Sequence, residues 1–208
     1  MPVPSAASLL VLHGLRLAGF KPADKVAELV GLPVQDVEAE LGRLGEQGLA
    51  NYREGRLSGW SLTPDGRAEG ERRLKAELDE AGCRAVVQAC YEQFLTLNGQ
   101  MLAVCTDWQM KDPQTLNDHG DADYDAKVIA KLAEIDVEVQ PICTRLAEQL
   151  DRFGGYGARL ASALAKVQGG ESDWFTKPMI PSYHTVWFEL HEDLLATLNI
   201  DRASEGSH

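Results

Sequence analysis

The hydrophobic positions in the N-terminal part of the chain follow a helical period in three short segments. Five leucines between residues 5 and 20 suit one broad buried helix face. A second helix is expected to begin near Pro22, since proline lacks the amide hydrogen that a first helical turn leaves unpaired, and to end at Gly31. From Val34 to about Gln47, apolar residues recur at spacings of three, four and three. The pattern predicts three helices, with a tight Gly-Leu-Pro turn between the second and the third.

The next segment has the pattern of a β-hairpin. Residues 49–53 and 56–62 carry the apolar and aromatic side chains typical of short strands, and Glu54-Gly55 separates them. Thr63 and Pro64 then provide a side-chain cap and a first-turn proline for another helix.

This order of elements resembles a known DNA-binding domain. The helices, the hairpin and the segment Leu-Thr-Pro-Asp-Gly-Arg-Ala at residues 62–68 together look like the winged helix-turn-helix domain of MarR-like bacterial transcriptional regulators. The resemblance covers about residues 6–80, so we expect one domain at residues 1–80 and a second at 81–208. It implies that the third helix enters the major groove, that the hairpin is the wing, and that the protein binds DNA as a homodimer.

The resemblance also implies which residues contact DNA. The exposed face of the third helix would meet base edges, where Gln35 could pair with adenine. The wing arginines would contact phosphates, with Lys21 and Arg16 nearby. The DNA-binding candidates are Gln35, Asp36, Ala39, Arg43, Arg53 and Arg56.

The charge distribution changes this interpretation. The chain has a net charge of −12, with 10 basic and 13 acidic residues in 1–82 and 10 basic and 19 acidic residues in 83–208. Asp36, Glu38, Glu40 and Glu46 make the third helix acidic, and carboxylates repel phosphates. Nonspecific nucleic-acid binding is therefore not expected, and any DNA contact must come from a small local patch. The alternative is an acidic winged helix that docks onto a partner protein, and the arrangement loosely resembles segments that accompany phosphoenolpyruvate-utilising phosphotransfer enzymes in actinobacteria.

The rest of the chain has a helical pattern. Segments near 76–97, 122–150, 156–167 and 181–198 look helical, and no stretch after Pro64 alternates like a strand for long. Breaks are expected at Gly82, at Asn98-Gly99, across 111–120, at 153–155 and at 168–181. The predicted class is mainly α: a winged helix-turn-helix with a short hairpin, followed by an all-α domain that dimerises and encloses a pocket for a small-molecule effector.

Three clusters in this second domain could line such a pocket. The first, rich in polar residues, fails the calcium EF-hand template, and Asp121 or Asp118 is better placed to cap the helix that begins near Ala122. In the second, a lysine over an indole could hold a carboxylate or phosphate. In the third, histidines and aromatics share one helix face. The ligand-binding candidates are Asp107, Trp108 and His119, then Trp174 and Lys177, then His184, Trp187 and His191.

The remaining signals narrow the class of function. The two histidines of the third cluster lie seven residues apart, unlike the four-residue spacing of a helical zinc pair, so no metal site is predicted. Catalytic motifs are lacking, so we expect that the protein is not an enzyme. A metal-sensing or enzymatic helical domain is the third alternative, and no cofactor is indicated. The four widely spaced cysteines are expected to be reduced, and Cys83 and Cys90, seven residues apart on one helix face, are expected to lie in the core. No apolar run approaches the ~20 residues of a membrane span, and no signal peptide is evident, so we expect a cytoplasmic protein.

Overall fold

The computed structural model describes residues 2–201 and consists mainly of α-helices with a few short strands. The predicted mainly α class is confirmed. No helix in residues 2–201 is both long and apolar enough to cross a membrane. The helices are α1 (Ala7–Ala18), α2 (Ala23–Val30), α3 (Val34–Glu46), α4 (Pro64–Ala81), α5 (Arg84–Gln109), α6 (Ala122–Gln149), α7 (Tyr156–Gln168), α8 (Asp173–Thr176) and α9 (Tyr183–Leu198), and the strands are β1 (Phe20–Lys21), β2 (Ala50–Arg53), β3 (Gly59–Leu62), β4 (Met110–Asp112) and β5 (Thr115–Leu116).

The chain forms two compact units that are not continuous in sequence. The first unit contains residues 2–84, Leu150–Arg152 and residues 192–201. The second contains Ala85–Gln149 and Phe153–His191. The expected boundary at residue 80 lies in the last turn of α4. Two later segments thus return to the first unit.

The core of the first unit joins α1, α2 and α3 with the strands. Leu12, Val26 and Leu41 are fully buried in it. Gly31 ends α2 at φ 70°, a left-handed conformation that glycine adopts without steric cost, and so permits the tight turn into α3. The hairpin predicted after α3 is present, as β2 pairs antiparallel with β3. The short strand β1, which the sequence pattern did not indicate, pairs with the other side of β3 and completes a sheet of order β1-β3-β2.

The predicted cap of α4 is confirmed. The Thr63 hydroxyl accepts a hydrogen bond of 3.0 Å from the amide of Gly66 and donates one of 2.7 Å to the carbonyl of Gly48. The cap therefore satisfies an otherwise unpaired helix amide and also ties the start of α4 to the turn that follows α3.

A buried group of charged residues joins the three segments of the first unit. The Arg152 side chain is only 2% exposed, and its Nε donates to Glu77 Oε2 at 3.0 Å. Its two terminal nitrogens donate to Asp193 and, at 2.6 Å, to the hydroxyl of Thr197. His13 Nε2 lies 3.0 Å from Asp193 Oδ1. The residues Arg152, Glu77, Asp193, Thr197 and His13 are called the Arg152 network below.

The second unit differs from the sequence-based expectation in two places. The break expected at Asn98-Gly99 is wrong, because α5 continues through both residues. Asn98 is buried, and its side-chain oxygen accepts a 2.9 Å hydrogen bond from Trp187 Nε1, so it has no need to compete for the helix backbone. The strands β4 and β5 form a small hairpin where no strand was expected, since two or three residues are too few to show alternation.

All four cysteines are free and buried, and the predicted burial of Cys83 and Cys90 is confirmed. Burial raises the pKa of the Cys105 and Cys143 thiols to about 12, so both stay protonated at neutral pH. Burial also raises the pKa of Cys83 and Cys90. Their protonated thiols pack as small hydrophobic side chains.

Candidate functional site

The first candidate site is the surface formed by α3 and the β2–β3 hairpin, called the α3–hairpin surface below. On α3, Gln35, Asp36 and Ala39 are exposed in the first two turns. Arg53 ends β2, and Arg56 lies in the loop of the hairpin; both are exposed. Every DNA-binding candidate from the sequence, including Arg43, is therefore accessible to a partner.

The acidic character of α3 is weaker than its sequence indicates. Glu40 is one of the four carboxylates that make α3 acidic in sequence, but it is only 6% exposed. Its Oε2 forms an ion pair of 2.8 Å with Nη2 of Arg43, which lies one turn further along α3. Arg43 thus neutralises a buried carboxylate as well as facing solvent. Asp36, Glu38 and Glu46 remain exposed.

The hairpin arginines differ in how firmly they are held. The Arg53 guanidinium lies over the ring of Phe20, 4.5 Å from its centroid, which restricts the side chain to one side of the sheet. Arg53, together with Arg56 and Leu57, lines a shallow pocket with a volume of about 470 Å³ at the hairpin loop. Arg16, expected near the phosphates, is instead 14% exposed and paired with Glu71. It is not part of the α3–hairpin surface.

The second candidate site is a polar cluster around His119 in the second unit. His119 has φ 57°, unusual for a residue with a side chain, and three contacts hold it there. Its amide donates to Asn117 Oδ1 at 3.1 Å, its Nδ1 lies 3.0 Å from Asp125 Oδ2, and its ring centroid is 4.4 Å from that of Trp108. The residues Trp108, Asn117, His119 and Asp125 are called the His119 cluster below.

Asn117 organises this cluster, although no pattern in the sequence singles it out. It is 8% exposed, and its side-chain nitrogen donates to the Trp108 carbonyl at 3.1 Å and to Asp125 Oδ1 at 2.8 Å. Asp107, a predicted ligand residue, instead pairs with Lys131 at 2.8 Å. The expected cap of α6 is present, because Asp121 Oδ1 accepts from the amides of Asp123 and Tyr124.

We expect Asn117→Ala to lower the free energy of unfolding by about 1–3 kcal/mol, because the change leaves buried polar groups without partners. Urea denaturation followed by circular dichroism measures the difference. Gln114→Ala is the matched control, since Gln114 is an exposed residue in the turn between β4 and β5, three residues before Asn117, and should change stability by less than ~0.5 kcal/mol. Equal stability of the two variants would show that the cluster is not held by Asn117.

The segment with Trp174 and Lys177 is arranged differently from the expectation. The lysine over the Trp174 indole is Lys166 of α7, whose Nζ lies 3.2 Å from the ring centroid. Lys177, the lysine expected over this ring, is instead paired with Asp173 at 2.5 Å. Phe175 is fully buried and stacks on Trp108 with centroids 4.4 Å apart. This segment therefore packs against the aromatic side of the His119 cluster.

The third predicted group is mostly part of the core of the second unit. Trp187 is buried between Asn98 and the ring of Phe94, whose centroid is 4.6 Å away, and His191 is buried beside the same phenylalanine. His184 is half-buried, and burial lowers its pKa. Phe188 was expected on the same face but is 44% exposed. Within the part of the chain that the structure describes, no three histidine, cysteine or acidic side chains are grouped to hold a metal ion.

A buried carboxyl outside the predicted candidates lies in the second unit. Asp136 is 8% exposed; its oxygens accept hydrogen bonds from Gln140 and, at 3.1 Å, from the Tyr183 hydroxyl. Burial raises the pKa of this carboxyl, while the two hydrogen bonds lower it. The one sequence signal was its position four residues after Leu132, on the buried stripe of α6.

Comparisons with known proteins add no relative to this description. No protein-family model matches the chain, and neither the curated proteins nor the solved structures give a significant match.

Proposed function

We propose that this chain is a transcriptional regulator whose first unit binds DNA through the α3–hairpin surface. The observation that carries the proposal is the order helix, strand, helix, helix, hairpin, which leaves the N-terminal half of α3 exposed in a unit whose hairpin carries two exposed arginines. A helix of this kind fits the major groove, and a hairpin reaches the adjacent backbone. We further propose that the protein acts as a homodimer that reads two half-sites and responds to a small-molecule effector.

The charges on this surface favour specific over nonspecific binding. Arg53 and Arg56 supply attraction to phosphates, whereas Asp36 and Glu38 on α3 repel them. At base edges the same carboxylates can accept from the cytosine amino group, and Gln35 can pair with adenine. Affinity for a random sequence is therefore low, and a matching sequence gains the contacts that offset the repulsion.

The first test compares DNA binding by charge variants. We expect the double variant Arg53→Ala/Arg56→Ala to bind the DNA upstream of its own gene at least ~10-fold more weakly at low salt, and the slope of log K against log salt to fall by about 2, because two phosphate contacts are lost. Fluorescence anisotropy with a labelled fragment measures both quantities.

Arg72→Ala/Lys75→Ala is the control, because it removes the same two charges from exposed positions on α4, outside the α3–hairpin surface. It should bind as the unaltered protein does. If both double variants lose affinity equally, the attraction is general and the hairpin is not a DNA contact.

A second candidate function, docking onto a partner protein, is favoured by apolar side chains on the same elements. Val34 at the start of α3 is 42% exposed, Tyr52 on β2 is 54% exposed, and Leu57 in the hairpin loop is 73% exposed. Protein interfaces surround such residues with a polar rim, and the exposed acids of α3 would suit a basic partner. A phosphoenolpyruvate-utilising phosphotransfer enzyme is one candidate partner. This function predicts that Tyr52→Ala/Leu57→Ala abolishes co-purification of a stoichiometric partner from the native host, while Arg53→Ala/Arg56→Ala does not.

A further inference from the structure

A cleft in the first unit lies between α1, α4 and the C-terminal end of α9, and none of its lining residues belongs to the α3–hairpin surface. Its volume is about 470 Å³, within the ~300–1,000 Å³ of typical small-molecule sites. Arg16 of α1 and Arg67 and Glu71 of α4 line one part of it. Leu195, Ala196 and Ile200 supply apolar surface.

Both arginines keep unused hydrogen-bond donors. Arg16 Nη1 donates to Glu71 Oε1 at 2.5 Å, but Nη2 has no hydrogen-bond partner among the described residues, and the buried Nε has none either. Arg67 is exposed and has no ion pair or hydrogen bond within residues 2–201. Guanidinium groups of this kind bind carboxylates, often with two parallel hydrogen bonds.

Glu71 also offers an acceptor for a positive charge. Glu71 gives Oε1 to Arg16, and its Oε2 accepts no hydrogen bond from the described part of the chain. Glu192 and Asp201 also line the cleft, and both take part in other interactions. A ligand that is only an anion would face the Glu71 carboxylate, and one that is only a cation would face two arginines. A molecule with both charges close together matches the cleft better than either.

We propose that this cleft binds a free α-amino acid with an aliphatic side chain. Its carboxylate binds Arg67 and Arg16 Nη2, its ammonium binds Glu71 Oε2, and its side chain contacts Leu195 and Ile200. The Glu71 carboxylate beside the Arg16 guanidinium disfavours inorganic phosphate and other multivalent anions. The binding itself does not depend on the proposed function; only the role of the amino acid as the effector rests on it.

Isothermal titration calorimetry with the full-length chain, without DNA, tests the binding. L-Leucine is the first probe. Its analogues 4-methylpentanoate, which lacks the ammonium group, and 3-methylbutylamine, which lacks the carboxylate, should each bind at least ~10-fold more weakly, because each loses one of the two charged contacts. Inorganic phosphate should give no heat of binding. Equal affinity for leucine and either analogue would overturn the zwitterion assignment.

Two variants locate the site. Arg67→Ala removes an exposed side chain, so the fold should be retained, and the affinity for leucine should fall at least ~10-fold. Arg72→Ala, an exposed arginine of the same helix that pairs with Glu69, should bind leucine as the unaltered protein does. The proposal is overturned if no aliphatic amino acid binds at millimolar concentration, or if Arg67→Ala leaves the affinity unchanged. Because DNA is absent, these results are independent of whether the α3–hairpin surface binds an operator.

Discussion

Arg152→Leu is expected to lower the free energy of unfolding by about 3–5 kcal/mol at pH 7, since it breaks a buried ion pair by removing one partner. The change leaves the carboxylates of Glu77 and Asp193, 8% and 2% exposed, without the guanidinium that now lies between them. It also leaves Thr197 without the 2.6 Å contact from Arg152. Urea denaturation monitored by circular dichroism measures the loss.

Two further variants show whether buried charge is the cause. Arg152→Leu/Glu77→Gln/Asp193→Asn removes the uncompensated charges and should recover part of the loss. Lys25→Leu breaks an ion pair of 2.6 Å whose side chains are 51% and 65% exposed, and it should cost less than ~1 kcal/mol. An equal cost for Lys25→Leu and Arg152→Leu, or no recovery in the triple variant, would contradict the role given to the Arg152 network.

Gly66→Ala should have the second-largest effect, a destabilisation of about 3 kcal/mol or more. A Cβ at this position would lie 1.8 Å from the carbonyl oxygen of Leu49, and backbone cannot move aside as the end of a flexible side chain can. The start of α4 would have to shift away from the turn that leads into β2, and the Thr63 cap would be strained with it. Thermal unfolding followed by circular dichroism detects the change.

Gly70→Ala is the matched control, because Gly70 lies in the same helix and a Cβ there meets no atom within 4 Å. That variant should be stabilised by up to ~1 kcal/mol through the higher helix propensity of alanine. If Gly66→Ala is as stable as Gly70→Ala, the close approach of α4 to Leu49 is not a feature of the folded protein.

The local elements of the first unit could be predicted because their signals are local. Three such signals are the glycine that ends α2, the Thr63-Pro64 start of α4 and the spacing of the leucines in α1. Each of them involves residues that lie only a few positions apart in the sequence. The break expected at Asn98-Gly99 failed for the opposite reason. The Asn98 side chain accepts a hydrogen bond from Trp187, which lies far away in the sequence.

The candidate sites were predictable only as far as exposure follows from helix periodicity. The exposed positions on α3 were found in this way. The burial of Glu40, the placement of Lys166 over Trp174 and the contacts of Asn117 all depend on tertiary packing. The same holds for the composition of the first unit, because Arg152 and Asp193 join it through a charge network that no sequence window contains.

The central claim is that the α3–hairpin surface binds DNA. Selection of bound fragments from a random double-stranded DNA pool tests it most directly, because no operator sequence has to be chosen in advance. The purified full-length chain is incubated with the pool at low salt, and bound fragments are enriched over successive rounds. We predict a two-fold symmetric motif with half-sites about one helical turn apart, which is retarded in a gel and is bound at least ~10-fold more weakly by Arg53→Ala/Arg56→Ala. A pool that yields no enriched motif and no retarded fragment would contradict DNA binding by the α3–hairpin surface.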